Sequence, residues 1–206
     1  MQIQKEFIRK RIIKSATKEF LNADYHKASL RKIAAAADIT PGNIYRYFED
    51  KAALYKATVA PAWNGIQELF HMAGSIHYSD YSENTVVMIT NELAKIFILE
   101  QDGFMILIKN DPHSPITDVR ETLISMIQTC ISDNMAENTW GISTDPVLIG
   151  TLAISITESM IYIFQKFDGN IPLLKKRLNI TLDLLLNSFQ NSLEREIRYA
   201  VTDPIL

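Results

Sequence analysis

One short segment of the chain holds side chains whose chemistry suits contact with nucleic acid. The amide of Asn43 can form two hydrogen bonds with adenine, and the guanidinium of Arg31 can do the same with guanine. The hydroxyls of Tyr45 and Tyr47 can donate hydrogen bonds to phosphate oxygens, and the positive charge of Lys51 attracts the same groups. These residues predict a nucleic-acid contact, provided that the fold presents them on one surface.

Two short helices are predicted to position these residues. Ser29 is a suitable N-cap for the first helix, and Thr40 followed by Pro41 is a strong signal for the start of the second. Only residues 37–39 separate them, and Asp38 can adopt the left-handed conformation that a tight turn needs. The pattern is that of a helix-turn-helix, whose second helix lies in the DNA major groove.

A longer helix precedes this pair and is expected to cover its core. It carries apolar residues at steps of four: Ile8, Ile12, Ala16 and Phe20. Most of its lysines and arginines fall on other faces, so its basic side is expected to face solvent. Ile33, Ile39 and Ile44 are placed to bury against Phe20, and Phe48 is expected to join this core.

The sequence from Ala34 to Leu54, with Ile12–Phe20 and Ser29–Ala34 upstream, resembles the DNA-binding signature of the TetR family of bacterial transcriptional regulators. The resemblance covers roughly residues 8–58. It implies that Arg31 reaches a base edge, that residues 40–43 enter the major groove, and that Tyr45, Tyr47 and Lys51 touch phosphates. The expected DNA-binding set is Ser29, Arg31, Thr40, Pro41, Gly42, Asn43, Tyr45, Tyr47 and Lys51.

The charge is divided unevenly along the chain. The net charge is −3, but residues 1–60 hold twelve Lys and Arg against six Asp and Glu, whereas residues 61–206 hold nine against eighteen. A basic part attracts a polyanion and an acidic part is repelled by it. We therefore expect an all-α protein of about nine helices, with a helix-turn-helix DNA-binding domain at 1–50 and a larger effector-binding and dimerisation domain at 51–206.

The larger domain is expected to hold a small-molecule effector among bulky, adaptable and polar side chains. The candidate residues are Trp63, Gln67, Phe70, Met88, Asn91, Glu92, Phe104, Met126 and Glu158. Plain core packing is the alternative for the apolar members, and pairing across a dimer is the alternative for Glu158. Pro61 has two interpretations as well: a hinge within the fourth helix, or the junction between one helix that ends at Ala60 and another that begins at Pro61.

The last two long helices carry most of the apolar mass and predict a homodimer. Two such helices from each of two subunits would form a four-helix bundle, and this is also where the resemblance places dimerisation. The expected interface residues are Leu152, Ile156, Met160, Ile163, Leu178, Leu182, Leu185 and Phe189. A symmetric dimer implies a near-palindromic operator.

These expectations combine into a ligand-responsive transcriptional regulator, a repressor by family resemblance, that binds double-stranded operator DNA as a dimer and is released by an effector. A constitutive DNA-binding protein without effector is the alternative. An enzyme is disfavoured because His71, His77 and His113 are scattered and Cys130 has no evident base. We expect no metal or cofactor.

The N-terminus lacks an apolar secretory core, and Val147–Thr157 gives only eleven uncharged residues before Glu158. A cytoplasmic location without a membrane partner is therefore the prediction.

Overall fold

A computed structural model describes residues 2–76, 83–109, 111–116, 118–136 and 145–202. Within those ranges the backbone forms nine α-helices and no strand, which confirms the predicted all-α class. In chain order they are α1 (Gln2–Asn22), α2 (Leu30–Ala36), α3 (Pro41–Ile44), α4 (Lys51–Gly74), α5 (Glu83–Leu99), α6 (Gln101–Ile108), α7 (Val119–Ala136), α8 (Pro146–Gln165) and α9 (Ile171–Thr202).

The chain folds into two compact units. The first unit comprises residues 1–67 and 96–120, and the second comprises residues 68–95 and 121–206. This division differs from the expected functional boundary after residue 50, because the first unit also includes most of α4 and the whole of α6. The assignment of DNA binding to 1–50 and of effector binding and dimerisation to 51–206 stays a prediction.

The core of the first unit forms where α1 packs on α2 and α6. Three of the four residues in the apolar stripe of α1 are buried as expected: Ile12 and Ala16 are fully inaccessible and Phe20 is 2% exposed, whereas Ile8 is half-buried. Ile33 of α2 and Ile44 of α3 are also fully buried, whereas Ile39 is half-buried. This small core fixes the two short helices relative to α1.

The starts of several helices are held by capping side chains. The hydroxyl of Ser29 accepts a hydrogen bond from the backbone N–H of Lys32, as the sequence predicts for an N-cap. Thr40 also stands at an N-cap, but its hydroxyl makes no capping hydrogen bond. Asp50 accepts from the N–H of Ala53 at 2.6 Å and so fixes the start of α4. Asp145 does the same for α8 through the N–H of Val147, at 2.8 Å.

Pro61 lies inside one continuous helix, α4. The interpretation of residue 61 as a junction between two helices is therefore wrong. Proline removes one backbone hydrogen bond of the helix. Pro61 is itself exposed, whereas Val59 and Ala62 beside it are fully buried. Helix α6 comes close to α4 near this point, and Gly103 lies at the contact. A Cβ built on Gly103 would lie 3.3 Å from the carbonyl oxygen of Thr58. A hinge at Pro61 stays a prediction.

The second unit is built around the packing of α8 on α9. Leu174 and Leu178 of α9 are almost completely buried, and Ala153, Thr157 and Phe164 are among the buried residues of α8. Gly150 allows a close approach to α7, because a Cβ at this position would lie 3.0 Å from the side-chain nitrogen of Gln128.

Helix α8 is long and strongly apolar. It has 20 residues and a mean hydropathy of 1.8 over its most apolar window, which by length and composition would suffice to cross a membrane. Half of that window is buried inside the protein. The stretch from Val147 to Thr157 is thus only one part of a full-length apolar helix.

Candidate nucleic-acid interface

The turn between α2 and α3 has the tight geometry of a helix-turn-helix. Asp38 adopts the left-handed conformation, with φ of 53°, as the sequence predicts for this turn. The turn closes through backbone hydrogen bonds from Ala37 to Ile33 at 2.9 Å and from Ile39 to Ala34 at 3.0 Å. The chain therefore reverses over very few residues and presents the start of α3 beside α2.

The expected base-reading residues lie at the surface of this motif. Arg31, Thr40, Pro41 and Gly42 are exposed, and Asn43 is half-buried. Because Thr40 does not use its hydroxyl to cap α3, this hydroxyl stays available as a donor and acceptor. Arg31 is on α2 and the other four are at the start of α3, so the motif brings together residues from both helices.

Gly42 has no steric role within the chain itself. A Cβ built on it would meet no atom within 4 Å, and the backbone around it does not require a positive φ. The absence of a side chain here leaves the backbone of α3 open to close approach from outside. That Gly42 faces DNA stays a prediction.

The expected phosphate-contacting residues differ in their surroundings. Tyr45 is 57% exposed, and Tyr47 is half-buried. Phe48 is only 5% exposed and lies under the guanidinium of Arg9, with 5.3 Å from its ring centroid to Cζ. Phe48 is thus the core aromatic of this segment, and Tyr45 is the exposed one.

Lys51 is held by the loop between α1 and α2. Its Nζ donates to the carbonyl oxygen of His26 at 3.3 Å and lies 4.8 Å from the ring centroid of Tyr25. Burial lowers the pKa of Lys51, while the carboxylates of Glu19 and Asp111 oppose that shift. An ammonium has three donors, so Lys51 can keep the contact with His26 and still donate to a phosphate.

Two residues after α6 hold the end of α1 and the loop that follows it. Lys109 donates to the carbonyl oxygens of Phe20, at 3.3 Å, and of Leu21, at the end of α1. Asp111 accepts hydrogen bonds from the backbone N–H groups of Tyr25 and, at 2.9 Å, of His113. Burial raises the pKa of Asp111, but these two donors and the nearby imidazoles lower it by more. The loop that holds Lys51 is therefore fixed by residues far along the chain.

Two cations near the motif were not in the expected DNA-binding set. Arg46 is exposed directly after α3 and, within the described residues, forms no ion pair. Arg11 of α1 donates to the carbonyl oxygen of Ala37 and to Asp38. The exposed position of Arg46 follows from its place next to Tyr45, whereas nothing in the local sequence predicts the contact of Arg11.

The expected effector residues fall in both units. Trp63, Gln67 and Phe104 belong to the first unit, where Phe104 is buried and packs edge-on against Phe97 at 5.3 Å between ring centroids. The other six belong to the second unit: Phe70, Met88, Asn91, Glu92, Met126 and Glu158. Met88 is 39% exposed. Glu92 pairs with Lys95 at 2.9 Å. Their common role in effector binding stays a prediction.

A cleft of about 450 Å³ lies within the first unit, between α1, α4 and the start of α6. Its walls carry Lys14 and Lys18 on one side and Glu100 and Asp102 on the other. None of the expected effector residues lines it.

Most of the expected dimer residues are buried within the single subunit. Leu152, Ile156, Met160, Ile163, Leu178 and Leu182 are each at most 9% exposed, and Leu185 and Phe189 are half-buried. A different set of apolar residues on the same two helices is exposed: Val147, Leu148, Ile154, Tyr162, Ile171, Ile180 and Leu184. The sequence located the apolar helices but not the side of each that faces outward.

The residues considered for catalysis do not form a site in the described chain. His71 and His113 are both exposed, and His77 lies outside the described residues. No group of three or more His, Cys, Asp or Glu that could hold a metal ion is found among the residues that the structure describes.

Comparisons with known proteins find a family match for the N-terminal part of the chain. The model of the family described as bacterial regulatory proteins, TetR family, matches residues 12–58. The HTH-type transcriptional regulator UidR of Escherichia coli strain K12 is 30% identical over 93 residues, which cover 45% of this chain and 47% of UidR. This chain thus spans about half the length of that relative. The HTH-type transcriptional repressor DhaR of Mycobacterium sp. strain GP1 is 24% identical over 193 residues, 89% of this chain and 95% of DhaR.

Solved structures share the fold over most of the chain. A TetR-like transcriptional regulator from Rhodococcus sp. RHA1 superimposes with a TM-score of 0.66 at 14% identity, covering 89% of this chain and 96% of the other. SmeT, the repressor of the Stenotrophomonas maltophilia multidrug efflux pump SmeDEF, gives 0.59 at 17% identity, covering 87% and 89%. Residues 12–58 therefore match the N-terminal domain of the TetR family, and the chain as a whole has the fold of the solved TetR-family regulators. Its relatives are regulators of transcription, not enzymes.

Proposed function

We propose that the protein is a transcriptional repressor that binds a near-palindromic operator as a homodimer in the cytoplasm and releases it when a small-molecule effector binds. The observation that carries the DNA-binding part is the exposed start of α3. Thr40, Pro41 and Gly42 project from a tight helix-turn-helix whose N-terminal segment is basic, and the hydroxyl of Thr40 has no capping role. Groups of this kind at the start of a recognition helix suit readout of base edges.

The dimer part of the proposal rests on the exposed apolar residues of the second unit. Ile154 and Tyr162 lie two turns apart on α8, and Ile180 and Leu184 lie one turn apart on α9, all at least 49% exposed. Large apolar side chains that recur at helical spacing on a surface indicate a contact with another protein. A second copy of the same two helices would cover both stripes and form the four-helix bundle that the sequence predicts.

The effector part rests on how the loop between α1 and α2, which holds Lys51, is itself held. Lys109 and Asp111 follow α6; Lys109 binds the end of α1, and Asp111 binds the loop. A ligand that favours one arrangement of α6 over another would thereby change the position of the DNA-contacting residues. Only a ligand with different affinities for the two arrangements can release the operator.

Replacing Asn43 by alanine tests the reading of sequence. We expect the variant to lose about 10-fold to 100-fold of its preference for its own operator over random duplex, because a bidentate amide–base contact discriminates by about 1–3 kcal/mol. Binding to random duplex should change little. The measurement is fluorescence anisotropy with a duplex that the wild-type protein has selected from a random library. Equal losses on both duplexes would show that Asn43 is not a base-reading residue.

Replacing Lys51 by alanine tests the phosphate contact and serves as the matched comparison. We expect binding to selected and random duplexes to weaken alike. The slope of log K against log salt should become shallower by about 0.9 for each phosphate contact that is lost. An unchanged slope would mean that Lys51 serves only to hold the loop through His26. If the wild-type protein selects no duplex at all, the proposed function is wrong.

A further inference from the structure

The turn that leads into α3 carries a negative charge at an exposed position. The side chain of Asp38 is 93% exposed and stands two residues before Thr40. On the proposed function, Thr40 enters the major groove of a polyanion, so an unpaired carboxylate at this point would repel the nearby phosphates. A mechanism that offsets the charge of Asp38 would strengthen DNA binding.

Arg11 supplies a positive charge at this point from α1. Its Nη2 donates to Oδ2 of Asp38 at 3.3 Å and also to the carbonyl oxygen of Ala37. Ala37 is the C-cap of α2, and the last carbonyl groups of a helix carry partial negative charge and lack helical partners. One guanidinium therefore joins the end of α2, the turn and α1, across 27 residues of sequence.

We propose that Arg11 is a positioning residue for DNA recognition: it offsets the charge of Asp38 and fixes the turn that aims α3. This inference rests on the proposed DNA-binding function. The side chains of the pair are 36% and 93% exposed. Exposed pairs contribute little to folding stability, so the role of Arg11 is expected in DNA affinity and not in the melting temperature.

A double-mutant cycle tests this role. The proteins are the wild type, Arg11→Gln, Asp38→Asn and the variant with both changes, and the probe is the duplex selected by the wild type. We expect Arg11→Gln alone to weaken binding by about tenfold, since it leaves one carboxylate and one helix-end carbonyl without their charged donor. With Asp38→Asn already present, the same change should weaken binding by at most about threefold, and the melting temperatures should stay within a few degrees.

The salt dependence separates this role from a direct contact with DNA. An Arg11 that itself binds a phosphate would make the slope of log K against log salt shallower by about 0.9 per contact when it is removed, and the loss would be the same with Asp38 or Asn at residue 38. A shallower slope together with an equal loss with Asp or Asn at residue 38 overturns the inference, and so does an Arg11→Gln variant that binds DNA as tightly as the wild type. Lys10→Gln is the matched control, because Lys10 is an exposed cation on the same helix. It should show no coupling with Asp38.

The wild type itself separates this inference from the function on which it rests. A wild type that selects no duplex overturns both. If the wild type selects a duplex but the double-mutant cycle shows no coupling between Arg11 and Asp38, only the role of Arg11 is overturned.

Discussion

Replacing Ile180 and Leu184 together by glutamate is expected to leave the protein monomeric. The two side chains are 54% and 61% exposed in the single subunit, so the substitutions should not disturb its own core. In a symmetric dimer each change occurs twice and brings charges without partners into an apolar contact. We expect dimerisation to weaken by at least about a thousandfold. The measurement is sedimentation equilibrium over a range of protein concentrations.

The same variant should bind operator DNA far more weakly. A dimer engages two half-sites, and the second contact is made at high effective concentration, a gain of about 10²-fold to 10⁴-fold that a monomer forgoes. Lys175→Glu is the matched control: it places a glutamate on α9 at an exposed position on another side of the helix. The control should remain dimeric. A double glutamate variant that also stays dimeric would show that another surface forms the dimer.

The second large effect is expected for Phe20→Ala. The side chain is 2% exposed, and its ring lies 5.0 Å from that of Tyr55 and 6.1 Å from that of Tyr25, measured between centroids. Its removal opens a cavity between α1, α4 and the loop that holds Lys51. Such substitutions cost about 3–5 kcal/mol, a large share of the stability of a small domain. We expect a lower urea midpoint for unfolding of the first unit and a loss of DNA binding.

Phe7→Ala provides the control for that experiment. Phe7 lies on the same helix, but its side chain is 60% exposed. Surface substitutions of this kind change stability by about 0.5 kcal/mol or less. Equal destabilisation by the two changes would contradict the assignment of Phe20 to the core. A Phe20→Ala protein that still forms dimers would show that the second unit keeps its structure independently.

The sequence predicted those features that depend on a few neighbouring residues. The cap at Ser29 and the left-handed turn at Asp38 both follow from local backbone chemistry. The apolar stripe that ends at Phe20 follows from helical periodicity in the same way. Because these signals are local, they identify the helix-turn-helix and its place in the chain without knowledge of the rest of the fold.

Tertiary structure alone decided which side of each apolar helix is covered. Helix α8 is apolar on nearly every side, so periodicity could not separate Ile156, buried in the subunit, from Ile154, exposed at its surface. The structure likewise decided that α4 continues through Pro61, where the sequence left a hinge and a junction of two helices as alternatives.

The contacts that hold the DNA-binding turn join residues distant in sequence. Arg11 meets Asp38 across 27 residues, and Asp111 meets Tyr25 across 86. The sequence by itself determined that this chain contains a helix-turn-helix within an all-α fold. The tertiary structure decided which side chains hold the motif and which stay exposed, because both depend on helices that come together only when the chain folds.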